Sequence, residues 1–406
     1  MNIVVQKYGG TSVASSEKRK QVVKKIALAI KEGYQVVVVV SAMGRLGEAY
    51  ATDTLLGLVG QQSSRHISNK DLDLLMACGE IISGVVMVSE LKSEGYEATC
   101  LTGGQAGIVT DDSFSDARII MVKPREVLKE LEKVPIVVVA GFQGVTQDGR
   151  ITTLGRGGSD TTAAALGVAL NAARIDIFTD VDGVKTADPR IVEEAKTLES
   201  ITYNEVCQLA HEGAKVIHPR AVEIAMQGNI PLRVLSTFTD GNGTLVTNCT
   251  GQGEPVTDIK SDRLITGITH KPHVTQLTVH KDQKSDVVPM KIFQSLAAAK
   301  ISVDFITITE EKVIFTVKDI DKDNAVSIIK NLDLELDVKP DCAKVAAVGA
   351  GMTGVPGVMA KIVEALTESG IKILQSADSY TSIWCLVTQK DMEKAVRALH
   401  RKFQLG

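Results

Sequence analysis

Apolar residues along this chain fall into two alternating rhythms. Short runs such as Ile3-Val4-Val5 and Gln35-Val-Val-Val-Val-Val40 are apolar at successive positions, as in a parallel strand covered on both faces. Between them the spacing lengthens. Val22, Val23, Ile26 and Ile30 share one face of a predicted helix that Ser15 or Ser16 caps and Gly33 stops. The rhythm continues with a helical pattern from Asp71 to about Gly95, which holds Cys78-Gly79-Glu80, and a strand over Ala98 to Leu101. It then gives a strand entering Ala140, an Ala/Leu-rich helix capped by Ser159 and running to about Ala173, and a strand over Ile175 to Thr179. Strand and helix alternate in this way from Asn2 to about Asn248, which predicts an α/β unit around a parallel sheet.

Several of these strands end in a small or polar cluster: Lys7-Tyr8-Gly9-Gly10-Thr11, Ser41-Ala42-Met43-Gly44, and Gly141-Phe142-Gln143-Gly144. In open α/β sheets ligands bind outside the carboxyl ends of the strands. Lys7, Ser41, Gly141, Arg156 and Asp180 are therefore expected to meet along one edge. Any single loop reads equally well as a plain turn; the set reads as a site. Its centre is Thr152 to Arg190. There a glycine-rich turn with one cation, Gly155-Arg156-Gly157-Gly158, opens a helix, and the acidic loop Asp180-Val-Asp182-Gly183 follows two elements later. Backbone N–H groups at such a helix start suit an anion, and the carboxylates suit a metal or an ammonium group. Together they suggest a phosphate-handling site.

From Asn248 to Asp262 the composition shifts to Asn-Cys-Thr-Gly-Gln-Gly-Glu-Pro, a linker signal. Beyond it the chain repeats: Ile292 to Val317 matches Ile362 to Val387 at a fixed offset of 70 positions. Each copy reads as a split βαβ module, which suits either small-ligand sensing or dimerisation. The first copy is predicted to contain Leu277–His280, Met290–Ala299, Ser302–Ile306, Val313–Val317 and Asp323–Lys330. The second is predicted to contain Val345–Val348, Val358–Ser369, Ile371–Gln375, Ile383–Thr388 and Asp391–Lys402. The resulting boundaries are 1–248, a linker at 249–262, and modules at 263–340 and 341–406.

Composition narrows the chemistry. A formal charge of −4 gives no basic surplus for a nucleic-acid partner. Six scattered cysteines without a CxxC pair read as reduced thiols of a cytoplasmic protein. No signal peptide is legible, and the longest apolar run, Val36 to Val40, is too short to span a membrane. A Walker-type GxxxxGK[ST] is absent. The stretch GRGGSD fails the dinucleotide fingerprint because Asp160 occupies the third glycine position. His211-Glu212 is followed by Lys215 where a zinc helix needs histidine, so no protein-held metal is expected.

What remains is an ordered set: KYGGT, SAMG, CGE, AGFQG, TLGRGGSDTTAAALG, TDVDGVKTADPR and GAKVIHPRA. In that order it resembles the aspartokinases of the amino acid kinase fold, with the repeat resembling paired ACT domains. The match runs along the whole chain. SAMGRLGEAYATDTLLG, LITGITH, SVDFITIT, VGAGMTGVPGV and LQSADSYTSIWCLV are most similar to the diaminopimelate-sensitive aspartokinases of bacilli. The resemblance implies a carbamate-kinase-like three-layer αβα domain followed by two ferredoxin-like βαββαβ ACT domains. It implies transfer of the ATP γ-phosphoryl, with Mg2+, to the β-carboxylate of L-aspartate, the first step toward diaminopimelate, lysine, threonine and methionine. A carboxylate of pKa about 3.9 is already ionised at neutral pH and needs no general base. Alignment and charge neutralisation then suffice.

The resemblance also implies residue roles. Lys7, Tyr8, Gly9, Gly10 and Ser41 would hold the nucleotide, with Thr179, Asp180, Lys185, Asp188, Pro189, Arg190, Lys215 and Val216. Arg156, Gly157, Asp160, Glu80, Thr52 and Gly141 would hold aspartate, with Lys7, Arg156, Asp160 and Glu80 the catalytic set. Singly, Lys7 or Lys215 reads as a solvated lysine, Asp160 as a first-turn acid favouring the helix dipole, and Glu80 as a surface helix residue. In this assignment the first half of the central stretch goes to aspartate and the acidic loop to the nucleotide. Effector contacts would fall at Ser285, Asp286, Val303, Asp304, Pro356, Gly357 and Val358, with meso-diaminopimelate, lysine or threonine as ligand. The first copy departs from the family pattern, having Lys284-Ser-Asp-Val287 where the second has Pro356-Gly357-Val358. A homodimer through ACT strand edges is implied. The rivals are another kinase of the same fold and an inactive ACT-based amino-acid sensor.

Overall fold

The computed structural model describes residues 2–59, 67–214, 216–248, 264–280, 287–349, 352 and 355–406. The chain forms two compact units: 1–184 with 197–211 and 215–258, and 185–196 with 212–214 and 259–406.

In the first unit an eight-stranded sheet runs, in spatial order, through Ser200–Thr202, Thr244–Thr247, Leu232–Ser236, Arg174–Thr179, Ile3–Tyr8, Gln35–Val40, Ile136–Ala140 and Ala98–Leu101. The five neighbours from Leu232–Ser236 to Ile136–Ala140 pair in parallel. The all-apolar runs are explained by cover on both faces: Val36 to Val40 and Ile136 to Ala140 are all buried. Alternate residues Val4, Val36, Val38, Val40 and Val138 pack with Val22, Val23 and Ile26 of the helix Ser16–Lys31 and Met87 and Leu91 of the helix Asn69–Ser93. The helix Gly158–Ala169 packs against Ile3–Tyr8 and Arg174–Thr179. A separate four-stranded sheet joins Ile119–Val122, Ile108–Thr110, Gln143–Val145 and Ile151–Thr153.

Ser15 does cap the first long helix, its side chain accepting from Lys18 N. Ser159 does not cap the later one. That helix opens two residues earlier than such a cap would place it, at Gly158, with Gly157 as its cap in the left-handed region at φ 70°. The reason is steric. A Cβ on Gly157 would lie 2.2 Å from Cγ of His218, so only glycine lets the ring and the turn approach. Asn69–Ser93 is the one helix among the described residues long and apolar enough to cross a bilayer. Its apolar side instead closes the core, and it carries the buried acids Asp73 and Glu80.

The second unit is built on one six-stranded sheet, ordered Asp304–Ile308, Lys312–Lys318, Gly267–His280, Leu336–Val348, Ser382–Thr388 and Gln375–Asp378. The two central strands each serve both repeats. Val274 to His280 pairs with Lys312–Lys318, while Gly267 to Lys271 pairs with Lys344 to Val348. Leu336 to Lys339 pairs with Gln276 to Val279, and Cys342 to Val348 pairs with Ser382–Thr388. The second repeat's fourth strand thus comes from ahead of the first repeat, and position 340/341 lies inside a continuous strand. The strand expected at Ile371–Gln375 starts at Gln375 and ends at Asp378. Ile371 is buried among Val358, Ile362 and Leu366, filling the helix side of the core ahead of that strand.

Candidate active site

The register of the central strands fixes the site. Phe178 pairs with Tyr8, Tyr8 with Val40, and Val40 with Ala140, so four strands end on one line. The backbone stays laddered one step further, with Ser41 N donating to Tyr8 O, Gly141 N to Val40 O and Thr237 N to Thr179 O. The loops that begin at Gly9, Ser41, Gly141 and Asp180 therefore leave the sheet side by side, as the sequence predicts. Tyr8 stacks on Phe178, with ring centroids 4.7 Å apart, and closes the apolar floor beneath them.

At the middle of this edge Lys7 Nζ lies 2.7 Å from Asp160 Oδ1, with the two side chains 13% and 12% exposed. Asp160 sits in the first turn of Gly158–Ala169, and its other oxygen accepts from His218 N at 3.4 Å. The Gly9-Gly10 turn packs directly on the Ser41–Gly44 loop. A Cβ on Gly10 would lie 2.6 Å from Ala42 O, and Gly44 N donates to Gly10 O. Gly141 leads into Phe142, whose N–H donates to Thr162 Oγ1 at the start of the same helix.

Glu80 is not the surface residue that its helix position suggests when taken alone. It is 2% exposed, and its Oε1 accepts from Ala42 N at 2.9 Å, while Oε2 has no hydrogen-bond partner among the described residues. Burial pushes its carboxyl up to about 8, against the opposing hydrogen bond from Ala42. A buried acid with one unmatched oxygen is suited to an ammonium group. Thr52 opens the short helix Thr52–Gly57, which packs on the helix that carries Glu80.

Arg156 is exposed at the turn and forms no ion pair with a described residue. Asp180 is held by Arg45 at 3.0 Å, and Thr179 Oγ1 donates to it. Lys185, Asp188, Pro189 and Arg190 fall in the second compact unit. There Arg190 chelates Asp188 through Nε and Nη2, and that pairing holds the acid below the ordinary carboxylate range. Val216 is half-buried, while Lys215 lies outside the described residues. Sequence reasoning passed over Asp73, His218 and Arg220. Asp73 was legible as an acid two helical turns before Glu80 in an apolar helix; the two others lie in the quoted GAKVIHPRA stretch.

In the second unit Lys344 is buried between two carboxylates, 2.8 Å from Glu212 Oε2 and 3.1 Å from Asp304 Oδ2, with Nζ 4.1 Å from the Trp384 ring centroid. Burial acts to raise the Asp304 carboxyl, but the Lys344 cation and its hydrogen bond more than offset this and hold it below the ordinary value. Val303 precedes it, half-buried. In the second repeat Pro356 is exposed, Gly357 caps the helix Val358–Glu368 at φ 91°, and Val358 is buried. Ser285 and Asp286 lie outside the described residues.

Comparison with known proteins agrees with this geometry. The amino acid kinase family matches residues 2–236, and an ACT domain matches residues 337–401. These matches define an amino acid kinase joined to ACT modules. Among relatives, the chain is 53% identical to Aspartokinase 1 of Bacillus subtilis, covering 100% of both. It is 40% identical to the aspartokinase of Geobacillus stearothermophilus, covering 100% of this chain and 98% of the other. The solved Escherichia coli aspartokinase III in complex with aspartate and ADP aligns with a TM-score of 0.79 at 27% identity, over 99% of each chain. Clostridium acetobutylicum aspartate kinase aligns with a TM-score of 0.81 at 25% identity, over 98% of this chain and 100% of the other. The chain belongs to the aspartokinase family and is an aspartate kinase regulated through ACT domains.

Proposed function

We propose that the strand-end edge binds Mg·ATP and L-aspartate together and transfers the γ-phosphoryl to the aspartate β-carboxylate. The observation that carries this reading is the Lys7–Asp160 pair, set at the row of four strand ends and flanked by the exposed Arg156 and the buried Glu80. Lys7, with the Gly9-Gly10 backbone and Ser41, neutralises the phosphates. Asp160 keeps the Lys7 ammonium over the transferring group. Arg156 clamps a substrate carboxylate with its planar fork, and Glu80 takes the ammonium through its unmatched oxygen. Thr52, Gly141 and Gly157 shape the aspartate side. Thr179, Asp180, Lys185, Asp188, Pro189, Arg190, Lys215 and Val216 belong to the nucleotide.

A kinase using ATP requires a divalent metal, and magnesium is the proposed ion. The exposed carboxylates of Asp180 and Asp182, on the loop that follows Arg174–Thr179, are oxygen donors of the kind magnesium takes beside phosphate oxygens. The metal supplies charge neutralisation at the phosphates; every orienting contact derives from the chain. The hydroxamate assay tests the reading. With Mg·ATP and hydroxylamine, aspartate yields the trapped hydroxamate and glutamate does not. A glutamate-dependent product, or none with either, overturns it.

We also propose meso-diaminopimelate as the effector, on the similarity to the bacillar enzymes. Escherichia coli aspartokinase III, 28% identical to this chain, has been solved in complex with lysine and aspartate in a T-state. Titration with diaminopimelate, lysine and threonine, singly and paired, decides among them, and no response to diaminopimelate sinks this choice. We further propose a homodimer through the sheet edge; Ile306 and Ile308, about half exposed on the outermost strand Asp304–Ile308, support it. Cytoplasmic residence is supported by the free thiols of Cys78, Cys100, Cys207, Cys342 and Cys385.

A further inference from the structure

Asp73 is a fully buried carboxylate that spends its whole bonding capacity on two loops. Its Oδ2 accepts from Thr153 N at 2.8 Å and Ser115 N at 3.0 Å, and its Oδ1 accepts from Thr153 Oγ1 at 2.8 Å and Ser115 Oγ at 3.2 Å. Arg220 grips the same two loops from the other side. Its Nη1 donates to Leu154 O at 3.0 Å and its Nη2 to Ala117 O at 2.8 Å. Between them, Leu154 N donates to Phe142 O and Ala117 N to Thr153 O, both at 2.9 Å. Ser115 is held at φ 73°, a left-handed conformation that a serine adopts only when its surroundings impose it.

These bonds converge on residues 153 and 154, immediately before the Gly155-Arg156-Gly157 turn. The turn is tied on its helix side, Gly158 N donating to Gly155 O and Thr161 N and Oγ1 to Gly157 O, each at 3.0 Å. Gly155 and Gly157 both have positive φ, and Arg156 between them is exposed without an ion-pair partner among the described residues. Arg156 therefore emerges between two anchors, the helix start on one side and the segment at residues 153 and 154 on the other. Asp73 lies on the same helix as Glu80 and seven positions before it, two turns along one face. A single rigid helix thus holds the buried acid of the site at one point and the root of the cationic turn at another.

We propose that Asp73 and Arg220 are positioning residues for the aspartate subsite, fixing the Arg156 turn relative to Glu80. This rests on the reading that Arg156 clamps aspartate. Neither residue needs to touch the substrate; both act by placing the turn, and a displacement of about 1 Å at such a group costs up to about a hundredfold.

The test is a double-mutant cycle on the full chain with D73N, R156A and the pair, measuring kcat and KM for each substrate. D73N keeps size but removes the charge: with its oxygen toward the two backbone N–H groups, its amide nitrogen must donate to the Thr153 and Ser115 hydroxyls, reversing both of those bonds. We expect D73N to raise the aspartate KM about tenfold or more while the ATP KM moves less than about twofold. In the R156A background the D73N effect on aspartate KM should vanish. A D73N factor that persists in full on R156A, or that raises both KM values alike, overturns the proposal. An R156A enzyme with ordinary aspartate KM instead overturns the reading beneath it, so the two failures are distinct. Should D73N not fold, T153V removes one of the bonds to Asp73 and carries the same expectations, checked by a melt alongside.

Discussion

The charged clusters of the two units are constructed in opposite ways. Along the strand-end edge of the first unit, position is set by backbone. Four strands finish in register, and Gly10 and Gly157 allow approaches in which a Cβ would lie 2.6 Å from Ala42 O or 2.2 Å from the His218 ring. In the sheet of the second unit, position is set by side chains that find each other across strands. Lys344 holds Asp304 and Glu212, and Gln375 donates to Phe305 O and Thr307 Oγ1 while accepting from Gln276. Backbone packed at van der Waals contact has little freedom to rearrange, which suits alignment of two substrates. Side-chain pairs exchange partners at modest cost, which suits a module whose state must respond to a ligand.

Breaking the first construction at its charged centre should have the largest effect. Lys7→Ala removes the cation from the transferring phosphoryl and should lower kcat by about 10²–10³-fold, as loss of one preorganised stabilising group does. It should do so without a comparable loss in melting temperature. Steady-state kinetics beside a melt check it, and near-normal kcat would remove Lys7 from its role.

The second construction should fail first in stability. Lys344→Met takes the cation from a carboxylate pair of which Glu212 is buried, and breaking such a pair costs about 3 kcal/mol or more. We expect the transition of the second unit to fall by several degrees, and the response to any effector to weaken. Lys344→Arg should restore most of the loss. Chemical or thermal unfolding measures the first effect and inhibitor titration the second. An unchanged melt for Lys344→Met would show that the cluster contributes nothing to the module.

A smaller effect ties the first construction to pH. Glu80 sits at about 8 because it is buried, so at neutral pH it is largely protonated, whereas an ammonium ligand needs it charged. Aspartate should therefore bind more tightly as pH rises toward 8, with proton release on binding, and Glu80→Gln should flatten that dependence. The stability sign is opposite. A carboxyl raised from 4.5 in the unfolded chain to about 8 in the folded one favours the fold fully below 4.5 and loses that contribution as pH rises through 8. Glu80→Gln should remove this decline. An aspartate KM whose pH dependence is the same in wild type and Glu80→Gln would sink the assignment.

Much of this was legible in the residues themselves. The unbroken valine runs announced strands covered on both faces, and their glycine and polar ends announced loops at one edge. The fixed 70-residue offset announced two modules. Other features were not legible, for reasons of distance along the chain. Nothing near Glu80 says that Ala42 N will meet it, and nothing near Asp304 says that Lys344 will neutralise it. Ser159 has the chemistry of a cap, yet the ring of His218 requires a glycine cap two residues earlier. A linear repeat also gives no sign that Gly267 to Lys271 will complete the later module.

The sequence by itself determined the alternation of strand and helix, the glycine-rich and acidic character of the strand-end loops, the duplication, and through the order of its motifs the family. Those are properties of hydrophobic period, residue type and spacing, which are local along the chain. The tertiary structure alone decided the strand register that lines up four loop ends, the burial that turns Glu80 into a weak acid, and the strand ahead of the first repeat that completes the second. It also decided the grip of Asp73 and Arg220 on Ser115, Ala117, Thr153 and Leu154, ahead of the Arg156 turn. Each of these depends on groups far apart in sequence being brought within hydrogen-bonding distance and out of water, and only packing supplies that.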